Sequence, residues 1–389
     1  MLFVRQISGL SLAVYDQRPL EFPTELLMNV QHVPTRTLRP HPQRNTLEIL
    51  DQTCLPHAVL WRSLDTLEAV AVAIRSMQVR GAPLIGATAA FGLAIALKAD
   101  PSDAGLRAAS QLLRSTRPTA VNLHWALQRM DKVLRVLSPG ERCAAAWAEA
   151  EAIAEEDVAQ NQAIGQHGLA LLGSLVPNDG ETLQLMTHCN AGWLATVDWG
   201  TALAPVYAAQ AAGLPVHVWV SETRPRNQGL LTAWELAEQG IPHTVIADNA
   251  AGLLLRRGLV DAVIVGADRI AANGDVANKV GTYLKALACA DNSIPFYVAA
   301  PASTLDFTCP QGEAIPIEDR DGDEFRLVQG VDREHQAGAL RQLPANEAVA
   351  NPAFDITPAR LVTQLITERG TCAASQEGLR ALYPEAACG

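Results

Sequence analysis

The chain has 389 residues, a net charge of −11, and 49% hydrophobic against 18% charged residues. That is a globular composition rather than a disordered one, and at roughly 150 residues per domain it predicts two or three domains. Such a chain buries about three quarters of its unfolded surface and needs neither disulfides nor metal for a core. Its acidic balance repels phosphate backbones, which disfavours nucleic acid as main partner but not one small phosphate among local arginines.

The seven cysteines (54, 143, 189, 289, 309, 372 and 388) are odd in number, widely spaced and without a CxxC pair. A disulfide framework or zinc site is not expected, and the usage fits a reduced, cytoplasmic protein. Residues 1–34 show no clear period and carry Pro19, Pro23 and Pro34. They read as an extension or irregular arm, with Met28 an alternative start. Asp16 and Arg18 follow the short apolar stretch closely, which argues against a signal peptide.

From residue 35 the text becomes patterned. A strand is predicted over 47–50 and a helix over 65–77, with Asp65 as N-cap. A second helix, 86–98, is rich in Ala and Gly. The uncharged run around it, 81–97, falls short of the ~20 apolar residues of a membrane span, so a buried helix is expected. Helices over 120–137 and 140–172 follow. This gives a mainly helical domain over 35–139.

The rhythm then changes. Apolar runs at 183–189, 216–222, 243–248, 261–268 and 295–301 alternate with helical stretches at 201–212, 229–239, 252–258 and 279–290. Continuous apolar strands alternating with helices predict a parallel sheet covered on both faces. The expected class is α/β, with a sheet domain over 140–389.

Each predicted strand turns polar at its carboxyl end: His188-Cys189-Asn190, Ser221-Glu222-Thr223, Asp248-Asn249 and Asp268-Arg269. Ligands of open α/β sheets bind along that edge. Cys189 precedes a Gly-containing turn. Near a helix N-terminus its thiol would be a nucleophile or acid; otherwise it is a buried structural cysteine. Asp268, after an apolar strand, is either a general acid or base with a raised pKa or the cap of a following helix.

Arg80-Gly81-Ala82-Pro83 opens the Ala/Gly-rich helix and offers free N–H groups to an anion. Arg117 is a second anion contact or a surface arginine. Gln228 lies in a polar loop, and Asn278-Lys279 are placed at a helix start, where a lysine opposes the dipole unless an anion lies between. The histidines lack metal spacing, and no Walker or GxGxxG motif occurs. Neither metal nor cofactor is expected.

Six segments taken together are more specific: VRGAPLIGATAAFG (79–92), RPTAVNLHWA (117–126), THCNAGWLAT (187–196), ETRPRNQG (222–229), VGADRIAANGDVANKVGTY (265–283) and NPAFDITPARLVTQLITERG (351–370). In order, over roughly residues 35–370, they resemble the methylthioribose-1-phosphate isomerase family. That family groups with ribose-1,5-bisphosphate isomerases and the regulatory subunits of the translation initiation exchange factor. The resemblance implies a mainly helical domain before a Rossmann-like one, usually in a homodimer. It implies Cys189 and Asp268 as the catalytic pair, and Arg80, Gly81, Ala82, Arg117, Gln228, Asn278 and Lys279 as substrate contacts. The implied activity is the aldose–ketose isomerisation of 5-methylthioribose 1-phosphate in methionine salvage. A ribose 1,5-bisphosphate or 5-deoxyribose 1-phosphate isomerase, or a non-catalytic regulatory subunit, are the alternatives. Leu84 stands where the motif commonly has alanine, and 325–351 diverges.

Overall fold

The structure is a computed structural model describing residues 28–176, 181–334 and 336–388. Of the expected arm, residues 1–27 lie outside the described residues, as does the segment weighed as a signal peptide. Residues 28–34 are more regular than expected: Asn29–Val30 pairs antiparallel with Val33–Pro34. Gln31 and His32 turn this hairpin with φ of 52° and 65°, the left-handed pair that a two-residue turn needs. Met28 is fully buried.

A three-stranded antiparallel sheet follows: Leu38–His41, Thr46–Leu50 and Trp61–Leu64. Then come five helices, α1 (Leu67–Arg75), α2 (Ala82–Ala99), α3 (Asp103–Arg114), α4 (Val121–Leu134) and α5 (Pro139–Gly173). Thr66, not Asp65, caps α1; its side chain accepts from the Ala69 N–H. The β-branched Thr66 holds the extended φ/ψ that an N-cap requires. Helix α3 is an addition to the expected elements. Ser102 caps it, and Leu106, Ala109 and Leu113 give it a buried stripe.

Helix α2 is long and apolar enough to cross a membrane, but α1, α3, α4 and α5 enclose it. Its glycines permit that. A Cβ at Gly92 would come within 2.6 Å of Val70 Cγ1, and one at Gly86 within 2.8 Å of the Asn122 carbonyl. Small residues let the helices approach, so α2 forms the centre of one apolar core with Phe91, Leu93 and Trp147.

The second part is a seven-stranded sheet. Across it the strands run Gly370–Cys372, Gln364–Thr367, Phe296–Ala299, Ala262–Val265, Leu183–Thr187, Val216–Ser221 and His243–Ile246. Neighbours are parallel except for the edge strand Gly370–Cys372. Numbered along the chain, the six parallel strands lie in the order 3-2-1-4-5-6. The chain adds strands outward on one side, then returns to the first and builds the other. Connections therefore diverge between the first and fourth strands, which opens a crevice at their carboxyl ends. Those strands are Leu183–Thr187 and Ala262–Val265; Cys189 and Asp268 follow them. The fold is mixed α/β.

One expected element is corrected. The helix placed at 279–290 begins only at Thr282. Asn278 and Lys279 end the strand Val276–Lys279, which pairs with Arg269–Ala271 and with Phe354–Thr357. Asn273-Gly274 turns this hairpin, Gly274 at φ +90°, and Asn-Gly is a strong turn signal. Cross-strand register, not a helix N-terminus, sets Lys279.

Candidate active site

A cavity of about 100 Å3 lies at the carboxyl edge of the sheet, against the mouth of α2. All nine residues singled out from sequence line it: Arg80, Gly81 and Ala82; Arg117; Cys189; Gln228; Asp268; Asn278 and Lys279. They come from six stretches of chain that the topology brings to one rim.

The α2 mouth is shaped by Gly81, whose φ is +94°. A Cβ there would sit 2.3 Å from the Ala195 carbonyl oxygen, so only glycine lets the helix start this close to the 3-10 turn Trp193–Ala195. The first N–H groups of a helix have no intrahelical partner and favour an anion. Arg80 reinforces them. Its two Nη atoms donate to Asn190, one to Oδ1 and the other to the main-chain carbonyl at 2.9 Å. Gly81→Ala is expected to destabilise the fold by about 1–3 kcal/mol or more from the left-handed backbone alone, before the clash is relieved. Urea unfolding measures it; an unchanged midpoint would show that the mouth can shift.

Cys189 is buried and also left-handed, with φ +66°. Non-glycine residues hold that conformation only where their surroundings fix them. Here the Cys189 N–H donates to Thr223 Oγ1 at 2.8 Å, and its carbonyl accepts from the Thr232 hydroxyl at 2.8 Å. The turn that follows, Trp193–Ala195, is only three residues long, too short for a helix dipole. The charged group beside Cys189 is instead Lys279, which lines the same cavity.

Asp268 caps no helix: the strand Arg269–Ala271 follows directly, and its N–H bonds the Ala277 carbonyl at 2.9 Å. Burial pushes its carboxyl above the ordinary carboxylate range, while Lys279, Arg117 and Arg80 oppose the shift. Burial in turn pushes the Lys279 ammonium down, with Cys189 and Asp268 supporting its charge. Lys279 donates to the Ala353 carbonyl at 2.8 Å and lies 4.9 Å from the Phe354 ring centroid.

Two polar atoms are left waiting. Arg117 Nε and Gln228 Oε1 are buried with no hydrogen-bond partner among the described residues, a condition that costs free energy unless a ligand or water completes them. Arg117 pairs with Glu318 at 3.5 Å. Asn278 donates to Thr282 Oγ1 at 3.1 Å.

Sequence reasoning missed Arg320, which also lines the cavity. It is held by Glu318 at 2.9 Å and Glu324 at 2.6 Å. It lies next to the divergent stretch, and no motif marks it. His188 stands out in the sequence only as part of a strand end. Burial and the nearby Lys285 push it down to about 3, and its Nε2 bonds the Val280 carbonyl at 2.8 Å. That bond and the Thr223 hydroxyl 3.3 Å from its Nδ1 tie the ring into the wall of the cavity.

The sequence matches the initiation factor 2 subunit family over residues 78–374. A methylthioribose-1-phosphate isomerase of Dechloromonas aromatica is 73% identical over 362 residues, covering 93% of this chain and 100% of that protein. One from Rhodospirillum rubrum is 58% identical, covering 92% and 94%. Among solved structures, 5-methylthioribose 1-phosphate isomerase from Pyrococcus horikoshii OT3 superposes with a TM-score of 0.79 at 36% identity, covering 95% of this chain and 100% of that one. The translation initiation factor eIF-2B subunit delta from A. fulgidus gives 0.75 at 39% identity, covering 90% and 99%. The chain belongs to the initiation factor 2 subunit family and stands with its methylthioribose-1-phosphate isomerase members.

Proposed function

We propose that the chain is an aldose–ketose isomerase that converts 5-methylthioribose 1-phosphate to 5-methylthioribulose 1-phosphate, a step of methionine salvage. The observation that carries this reading is a buried carboxyl, Asp268, kept protonatable above its usual range and sharing one cavity with Cys189, Arg80, Arg117 and Lys279. A sugar phosphate with one anionic end needs that combination: cations for the phosphate and a neutral acid for the ring.

The phosphate on the anomeric carbon blocks spontaneous opening to a free aldehyde. The ring C1–O bond has to break with the phosphate still attached. Asp268 donates its proton to the departing ring oxygen. The hydrogen on C2 moves to C1 and the C2 hydroxyl loses its proton, leaving a ketone at C2, with Cys189 assisting at C1–C2. The C2 hydrogen travels either as a hydride or as a proton through an enediolate. The low polarity that raises Asp268 favours the hydride. The mouth of α2 with Arg80, together with Arg117 and Lys279, holds the phosphate.

A second phosphate, as in ribose 1,5-bisphosphate, requires more positive charge. The further arginines at the cavity are already matched, Arg269 by Asp306 and Arg320 by Glu318 and Glu324, which favours an uncharged methylthio end. A regulatory, non-catalytic role needs neither Cys189 nor Asp268. We further read the sheet as Rossmann-like, with its domain over 140–389 preceded by a mainly helical one over 35–139. The active form is read as a cytoplasmic homodimer without metal, cofactor, nucleic-acid or membrane partner.

Assaying the purified chain on both sugars side by side tests the substrate. Turnover of methylthioribose 1-phosphate well above the bisphosphate is expected; no turnover of either revives the regulatory reading. With substrate deuterated at C2 in ordinary water, hydride transfer retains the label at C1, and a solvent-exchanging proton transfer loses it.

A further inference from the structure

Glu235 lies on the buried side of the helix Gln228–Glu238 and is fully enclosed. No sequence motif draws attention to it. Its carboxyl oxygens meet two donors on the mouth side: Oε1 accepts from Asn190 Nδ2 at 3.0 Å, and Oε2 from the Leu194 N–H at 3.1 Å, with the Tyr207 hydroxyl also acting on the carboxyl. Both donors belong to supports of the anion-binding mouth. Asn190 is the residue that grips both Nη atoms of Arg80. Leu194 sits in the turn whose Ala195 carbonyl fits against Gly81. The fit is close on the near side as well, since a Cβ at Gly192 would lie 1.5 Å from Glu235 Oε1.

The orientation of the Asn190 amide depends on this arrangement. Its nitrogen faces two acceptors, Glu235 Oε1 and Thr232 Oγ1 at 3.1 Å. That leaves Oδ1 for Arg80. An amide turned the other way would set N–H groups against a guanidinium, which has donors only. Burial pushes the Glu235 carboxyl up to about 8, with Arg80 and Tyr207 the ionisable groups opposing the rise. What the Asn190 amide and the Leu194 N–H require of it is an acceptor oxygen for each. A glutamine at 235 offers one oxygen and one NH2 group, so either Asn190 or Leu194 would face a donor.

We propose that Glu235 is a positioning residue, which through Asn190 and Leu194 sets Arg80 and the N-terminus of α2 for the substrate phosphate. The proposal rests on the reading above that the phosphate binds at this mouth. Calorimetric titration of inorganic phosphate into the full chain tests it without requiring turnover. Glu235→Gln should weaken phosphate about tenfold, the loss of one hydrogen bond to a charged or buried group, and the urea midpoint should fall moderately, by the loss of one buried hydrogen bond, with the chain still folded. KM for the sugar phosphate should rise by a similar factor while kcat changes less than about threefold. In an Arg80→Lys background, which has lost the fork on Asn190, the same substitution should cost clearly less than about tenfold, because only the route through Leu194 remains. Unchanged phosphate affinity in a folded Glu235→Gln chain, or an undiminished tenfold loss in the Arg80→Lys background, overturns the proposal. If Glu235→Gln does not fold, Thr232→Val removes the other acceptor of the Asn190 amide; a loss of about threefold supports the proposal and none overturns it. Absence of phosphate binding by the unaltered chain instead sinks the assignment of the mouth itself, and this proposal with it.

Discussion

Replacing Asp268 with asparagine is expected to lower kcat by about 10^2–10^4, the usual worth of a positioned general acid, with KM changed only a few-fold. Asparagine matches the shape and keeps polar atoms in place, but it has no proton to give to a departing ring oxygen. The backbone is held independently by the bond from the Asp268 N–H to Ala277, so the hairpin carrying Asn278 and Lys279 should survive. Two pH signatures accompany this. Burial raises the Asp268 pKa, so the protonated, active form persists above the ordinary carboxylate range. Wild-type turnover should then fall as pH rises through that raised value, and the variant's residual rate should lack this limb. Stability moves in the same direction. Below the unfolded carboxylate pKa both states are protonated and the contribution is complete. As pH rises, the unfolded chain ionises first, and stability is lost until the folded group also titrates. Asp268→Asn removes that loss, so its stability relative to wild type should grow between acidic and alkaline pH. Turnover within about tenfold of wild type would remove Asp268 from the chemistry.

The sequence made some of this site legible and hid the rest for identifiable reasons. Cys189 and Asp268 could be found because a parallel strand is apolar through its body and polar at its exit. The 3-2-1-4 strand order then places those two exits beside each other, and no local pattern encodes that order. Gly81 is legible as part of a helix opening. The reason for a glycine there is the Ala195 carbonyl, whose oxygen would lie 2.3 Å from any Cβ at this position, and that contact joins residues far apart in the chain. Lys279 is legible as a site residue but not in its setting: the apolar residues after it suggest a helix, while Asn273-Gly274 points to the hairpin that actually forms. Arg320 and Glu235 escape altogether. The first sits beside a stretch without a motif, and the second on the inner face of an amphipathic helix, where a glutamate reads as solvent-exposed. Burial of a charged residue is a tertiary fact.

Cys189→Ser is the complementary test, with kcat expected to fall by about 10^2–10^4 if the thiol exchanges a proton at C1–C2. Serine is nearly isosteric and can hold the same left-handed backbone, because the bonds that fix it are made by the main chain of residue 189: Thr223 Oγ1 on the N–H and the Thr232 hydroxyl on the carbonyl. What changes is acidity, since a hydroxyl ionises far less readily than a thiol. The folded state should therefore be little affected, and urea unfolding should show a midpoint near wild type. The deuterium experiment then gives this variant its meaning. If the C2 label still reaches C1 in the slow variant, Cys189 handles the hydroxyl proton while the hydrogen crosses directly. If the label is retained in wild type but washes out in Cys189→Ser, the thiol instead controls how the migrating hydrogen is shielded from water. Turnover close to wild type would return Cys189 to the status of a buried structural cysteine, and the left-handed strain at φ +66° would then belong to the tight approach of Thr223 rather than to catalysis.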